Sequence, residues 1–325
     1  MEMRPLGRSG LQVSRLALGT MTWGRDTDEH EARDQLLAFV EAGGTLVDTA
    51  DVYADGRSEQ IVGALVDEVG RDSVVLATKA VSRPGTDRRR DASRGHLLGA
   101  LDASLRRLGV DHVDLWQLHA WDPLTPVEET LGALDTAVAS GKARYVGISN
   151  YSGWQTATVA AHQAAHRGSA RPISTQMEYS LLQRGIEREV VGAAEAGGLG
   201  ILPWSPLGRG VLTGKYRHGT PADSRAASSH FSSFIAPFLG ERSRLIVDAV
   251  ATAAEGLGVA PLEVALAWVR DRPGVVAPIV GARTAAQLRG ALTVEELELP
   301  DEIVTALDEV SSPESSYPDS GWTGR

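Results

Sequence analysis

The chain has 325 residues, 42% of them hydrophobic and 23% charged, and carries a formal net charge of -10 at pH 7. That surplus of carboxylates disfavours a nucleic-acid partner, whose phosphates call for Lys and Arg; the one basic cluster, Arg88 to Arg90, is bracketed by Asp87 and Asp91 and reads as a solvated loop. The absence of cysteine removes disulfides, thiolate zinc sites and cysteine nucleophiles together.

Met1 to Pro5 opens without an apolar leader, and no apolar stretch approaches the roughly 18 residues of a membrane helix, so a cytoplasmic protein without a membrane partner is expected. Met3 to Val13, with Gly7 and Gly10, suits a hairpin over a barrel floor. From there, short β-branched runs alternate with stretches of helical spacing, the pattern of βα units around a parallel sheet. In chain order the expected strands are Arg15 to Gly19, Thr45 to Thr49, Ser73 to Thr78, His112 to Leu118, Arg144 to Ile148, Ile173 to Met177, Gly200 to Trp204 and Val275 to Val280. The expected helices are Glu29 to Ala42, Glu59 to Val69, Ser93 to Leu108, Pro126 to Ser140, Trp154 to His166, Glu187 to Ala196, Arg242 to Glu255 and Pro261 to Asp271. Gly43-Gly44 stops the first as a C-terminal cap, and Pro126 and Pro261 suit first turns. Eight such units predict an α/β fold, a (β/α)8 TIM barrel in a single domain over residues 1–325. The long Ser205 to Leu239 loop after the seventh strand reads as functional, and the Ser- and Pro-rich tail from Ser311 as irregular.

Barrel active sites lie at the C-terminal ends of the strands. There the second strand runs Val47-Asp48-Thr49-Ala50-Asp51-Val52-Tyr53, the third ends Ala77-Thr78-Lys79, and the fourth Trp116-Gln117-Leu118-His119. Singly, each polar residue is as readily structural. Together they describe proton donation: an ammonium at Lys79 lowers the pKa of a phenol at Tyr53 by roughly 1 to 3 units, Asp48 holds that ammonium, and His119 orients a substrate oxygen.

These motifs, with Gly19-Thr20-Met21, Val146-Gly147-Ile148-Ser149-Asn150 and Trp204-Ser205-Pro206-Leu207, resemble those of the aldo-keto reductases over nearly the whole chain. The resemblance implies a catalytic tetrad of Asp48, Tyr53, Lys79 and His119, with Tyr53 as general acid in the reduction of aldehydes or ketones. It implies NADPH as cofactor, with Gly19, Thr20, Met21 and Asp48 beside it and Ser149, Asn150 and Gln176 on the nicotinamide carboxamide. Trp204 lies against the ring; Ser205, Pro206, Leu207, Gly208 and Gly210 hold the pyrophosphate through backbone N–H groups, with Lys215 adding charge. Gly281, Arg283 and Gln287 resemble the adenosine 2′-phosphate site at a helix N-terminus, where Arg favours NADPH. Gly290-Ala291 stands where the family usually has Glu-Asn, which leaves NADH use open. Trp23, Trp121, and Phe231 or Phe234, with Tyr53 and His119, are expected to wall a pocket for a small-molecule carbonyl substrate.

Other chemistries lack their motifs. Gly147-Ile148-Ser149-Asn150-Tyr151 is no nucleophile elbow, no H-E-x-x-H occurs, and Gly208-Arg209-Gly210 continues Val211-Leu212-Thr213 instead of completing a Rossmann fingerprint. The remaining alternative is a nicotinamide-binding regulatory subunit of the same fold with little turnover.

Overall fold

Eight of the apolar runs pair in parallel in the computed structural model, which describes residues 1–217, 219 and 232–314. They are β3 (Ala17–Gly19), β4 (Leu46–Asp48), β5 (Val75–Ala80), β6 (Val113–Leu118), β7 (Ala143–Ser149), β8 (Pro172–Glu178), β9 (Gly200–Trp204) and β10 (Ile279–Val280). Neighbours follow chain order, and β10 returns to β3. A single bridge, Ile201 to Val275, joins β9 to the approach to β10 and completes the (β/α)8 barrel. Pro278 explains why the last strand is shorter than expected: it has no N–H to offer a ladder.

The helices packed outside are α1 (Glu29–Glu41), α2 (Arg57–Val69), α3 (Arg94–Leu108), α4 (Val127–Ala139), α5 (Gly153–Ala165), α6 (Val190–Gly197), the one-turn α7 (Ser232–Ile235), α8 (Glu241–Leu257), α9 (Pro261–Arg270), α10 (Ala285–Leu292) and α11 (Asp301–Ser311). Local chemistry sets their starts. The Asp28 carboxylate caps α1 by accepting the Glu31 N–H at 2.9 Å, and Ser152 with Gln155 forms a capping box on α5. α10 is the helix whose N-terminus the Gly281 to Gln287 resemblance implied; α11 was not expected, and it carries the helix through Ser311, where an irregular tail was predicted. Among the described residues no single helix is long and apolar enough to cross a membrane. Phe231 and the tail beyond residue 314 lie outside the described residues.

The expected hairpin forms from β1 (Met3–Pro5) and β2 (Gln12–Ser14) and closes the barrel floor. Its Leu6 and Val13 are fully buried against Ala17, Leu46, Ala77, Leu115 and Ile173. Strand alternation then places the polar residues. Side chains two positions on share a face, so above Leu46, Ala77 and Leu115 the same interior face carries Asp48, Lys79 and Gln117, while Val47, Leu76 and Trp116 pack outward against the helices. Register brings them level: Gly19 pairs with Asp48, and Lys79 with Gln117.

Candidate active site

Lys79 is fully buried, and its Nζ has three oxygen partners: Asp48 Oδ2 at 2.5 Å, the Thr49 carbonyl at 2.8 Å and the Tyr53 hydroxyl at 3.3 Å. Asp48, equally enclosed, accepts at Oδ1 from the amides of Gln117 (3.2 Å) and Gln176 (2.9 Å). Tyr53 follows β4 on a tight turn in which Ala54 and Asp55 hold left-handed backbone angles, φ 48° and 54°. Such conformations strain non-glycine residues. The Tyr53 and His119 rings meet edge to face, 6.0 Å between centroids. The four tetrad positions thus converge at one mouth of the barrel.

Burial decides the protonation states. The Tyr53 hydroxyl is held above the ordinary phenol value because burial outweighs the attraction of Lys79 for the phenolate. That corrects the expectation of a lowered pKa: at rest Tyr53 keeps its proton. Burial pushes the Lys79 ammonium down, but Asp48 and Tyr53 outweigh it and the net direction is up. His119 is held neutral, pushed down to about 3 by burial and then by the Lys79 charge. Its Nδ1 is buried with no partner among the described residues. An unpaired lone pair costs less than an unpaired N–H, which favours the tautomer with the proton on Nε2. Behind the tetrad, Asp51 is pushed up to about 7 by burial and by the charge of Glu59, itself buried between Thr78 Oγ1 (2.6 Å) and Arg107 Nε (2.6 Å).

A cavity of about 600 Å³ opens over this group. Gly19, Thr20, Met21, Asp48, Tyr53, His119, Asn150, Gln176 and Trp204 form part of its wall, and Ser205, Pro206, Leu207, Gly210 and Lys215 continue it. Gly281, Arg283 and Gln287 belong to it as well, whereas Ser149 and Gly208 of the expected set do not. Asn150, left-handed at φ 57°, ties the wall together: its Nδ2 donates to the His119 carbonyl (2.9 Å), and its Oδ1 accepts from the Trp204 indole (3.1 Å). Ser149 lies beneath the wall, its hydroxyl given to the Gln176 carbonyl at 2.9 Å.

Three expectations need correcting. Trp23 is fully buried in the core and donates to Gln35 Oε1 at 3.1 Å. Trp121 packs edge-on to Tyr151 and Trp154, and neither Trp23 nor Trp121 walls the cavity. The N–H groups of Gly208 and Gly210, expected to face a pyrophosphate, turn back to the Ser205 and Leu207 carbonyls at 2.9 Å each. Phe234 does line the cavity. It is held by Arg209, whose guanidinium lies 3.6 Å from the ring centroid and makes a bidentate pair with Glu178 (2.7 and 2.8 Å). Arg209, Leu262, Ile279 and Val280 are wall residues that sequence reasoning missed; the only hint was Arg209 inside a Gly-rich run.

The aldo/keto reductase family model matches residues 15–312. The chain is 38% identical over 321 residues to the uncharacterized oxidoreductase YrpG of Bacillus subtilis, covering 95% of this chain and 96% of that protein. It is 37% identical over 315 residues to a probable voltage-gated potassium channel subunit beta of Oryza sativa, with 95% and 94% covered. It is 32% identical over 344 residues to the versiconal hemiacetal acetate reductase of Aspergillus parasiticus, with 98% and 99% covered.

Proposed function

We propose, from the premise that this chain belongs to the aldo/keto reductase family, that it acts as a single barrel domain reducing aldehydes or ketones to alcohols with NADPH, and that Tyr53 is the general acid. The observation that carries this is the Lys79 ammonium, sealed between the Asp48 carboxylate and the Tyr53 hydroxyl at a cavity wall.

The cavity fits a nicotinamide dinucleotide in size and charge. Its volume lies within the usual range of ligand sites, and the wall carries the cations Lys215 and Arg283. Trp204, Asn150 and Gln176 would hold the nicotinamide: Gln176 spends its amide N–H groups on Asp48 and Gln117, leaving Oε1 to accept, and Asn150 Oδ1 keeps a second lone pair. Ser205 to Leu207 and Lys215 would hold the diphosphate, and Arg283 and Gln287 the adenosine end. The bound cofactor supplies the hydride.

The chain's own groups supply the rest. His119, neutral at physiological pH, donates a hydrogen bond to the carbonyl oxygen and orients it toward Tyr53. Tyr53 holds its proton at rest and releases it as negative charge builds on that oxygen. The phenolate left behind meets the Lys79 ammonium at 3.3 Å, and Asp48 keeps that ammonium charged and in place. Burial of the pair excludes water, which strengthens both attractions.

The regulatory reading is favoured by identities of 34% to 37% to three proteins named as probable or putative channel subunits beta. Absorbance of NADPH with a panel of aldehydes separates the two: we expect many turnovers per site, whereas a sensor binds cofactor without them. Replacing Tyr53 by Phe should cut reduction by about 100- to 10,000-fold, the usual contribution of a positioned proton donor, with NADPH affinity within about twofold. Equal loss of binding and turnover sinks the assignment.

A further inference from the structure

Glu31 comes from α1, yet its carboxylate occupies the N-terminus of α10. Its Oε2 accepts the Ala285 N–H, the first in that helix, at 2.7 Å. The same turn is closed by two further acceptors: the Thr284 hydroxyl takes the Gln287 N–H at 3.3 Å, and Gln287 Oε1 takes the Arg283 N–H at 3.0 Å. The segment is also fastened to the loop before α1, where Thr22 Oγ1 donates to the Ala282 carbonyl (3.0 Å) and Thr27 Oγ1 to the Arg283 carbonyl (3.2 Å). Arg283 and Gln287 line the cavity on this same turn.

The first turn of a helix attracts anions because its N–H groups point outward without intrahelical partners. Here that attraction is already met by a carboxylate of the chain itself. A phosphate brought to Arg283 and Gln287 finds the leading N–H taken and a like charge one residue away. A ribose 2′-hydroxyl in the same place is neutral and meets no such opposition. Arg283 draws a phosphate in while Glu31 pushes against it, so the two side chains oppose one another in choosing between the phosphorylated and unphosphorylated dinucleotides.

We propose that Glu31 is a specificity residue that narrows the preference for NADPH over NADH, so that the site accepts both. The proposal rests on the nicotinamide reading of the cavity given above. Glu31 is half-exposed, so water screens its charge; one like charge close to a phosphate at a wet surface weakens binding by roughly 3- to 10-fold.

The test is the pair of dissociation constants for NADPH and NADH, read from quenching of tryptophan fluorescence in the wild type and in Glu31→Gln. Adenosine 2′,5′-bisphosphate, followed by calorimetry, isolates the phosphate. Glutamine keeps an oxygen for the Ala285 N–H, so the cap survives while the charge goes. We expect a wild-type preference for NADPH of less than about tenfold. In the variant NADPH and the bisphosphate should bind about 3- to 10-fold tighter, with NADH within twofold. Glu31→Ala, which also removes the cap, should melt earlier and shift the ratio the same way. An unchanged ratio, a weaker NADPH complex in Glu31→Gln, or a wild-type preference above a hundredfold overturns the proposal while leaving the cofactor reading intact. Failure of the wild type to bind either dinucleotide overturns both.

Discussion

The Nζ of Lys79 lies 2.5 Å from Asp48 Oδ2, with both groups shut away from solvent at the centre of the barrel mouth. Such a pair is costly to break from one side, because the survivor is left as an uncompensated buried charge. Lys79→Met and Asp48→Asn should each destabilise the fold by about 3 to 5 kcal/mol, measured by urea unfolding. The double variant should lose clearly less than the sum of the two. Additive losses would mean that the two charges do not depend on each other.

Asp51 should make the fold less stable as pH rises from about 4 to about 7. Its carboxyl is raised from 3.8 to about 7, chiefly by burial. The stability it contributes is therefore whole below its unfolded value and is lost as pH rises through about 7. Asp51→Asn should be more stable than the wild type at pH 8, by about 2 to 4 kcal/mol, and should match it near pH 4. His119 works in the opposite sense, losing stability as pH falls below about 6.5, so the comparison is made as a difference between variant and wild type at each pH, where His119 cancels. A difference independent of pH would assign the effect to packing.

The basic cluster shows the complementary case. Arg88 is not simply solvated: its guanidinium meets Asp122 at 2.8 Å. Asp122 also accepts from the Ala92 N–H (2.9 Å), the Leu124 N–H (3.0 Å) and the Thr125 hydroxyl (2.7 Å). Burial alone would raise its carboxyl; these donors bring it down to about 2. Its contribution is present above about 3.8 and disappears as pH falls through 2. Asp122→Asn should cost about 2 kcal/mol at pH 7 and progressively less below pH 4, followed by thermal melting in acid.

Gly7 holds the floor hairpin at φ +58°, where a Cβ would come within 2.3 Å of the Ile173 carbonyl and 2.6 Å of the Gly198 carbonyl. Both obstacles are backbone and cannot rotate away. Gly7→Ala should therefore cost more than about 2 kcal/mol, beyond the ordinary left-handed penalty, with the far-ultraviolet spectrum unchanged. A neutral substitution would show that the hairpin can detach from the barrel at little cost.

Strand positions were readable in the sequence because apolar runs and glycine stops are local signals, and Gly200 to Trp204 was located to the residue. The third strand was cut short at Thr78 because a lysine looks like an end. It continues through Ala80, since the Lys79 charge is met by a carboxylate 31 positions earlier, a pairing that periodicity cannot register. The tetrad positions were legible as polar residues at strand ends. The protonation of Tyr53 was not, because burial depends on the surrounding walls and not on the neighbouring letters. Trp23 and Trp121 misled for a related reason: an aromatic ring after a strand can face either a cavity or the core, and only the packed helices decide. Leu262 reaches the cavity from the first turn of α9, more than 200 residues from Tyr53, and carried no signal at all.

The lone bridge between Ile201 and Val275 is the thinnest stretch of the ring of strands, and the cleft passes over it, with Trp204 and Ser205 on one bank and Gly281 and Arg283 on the other. A molecule long enough to reach both banks would lie across that seam. The most lightly bonded joint of the ring and the two banks of its cleft are thus built from the same pair of neighbouring segments.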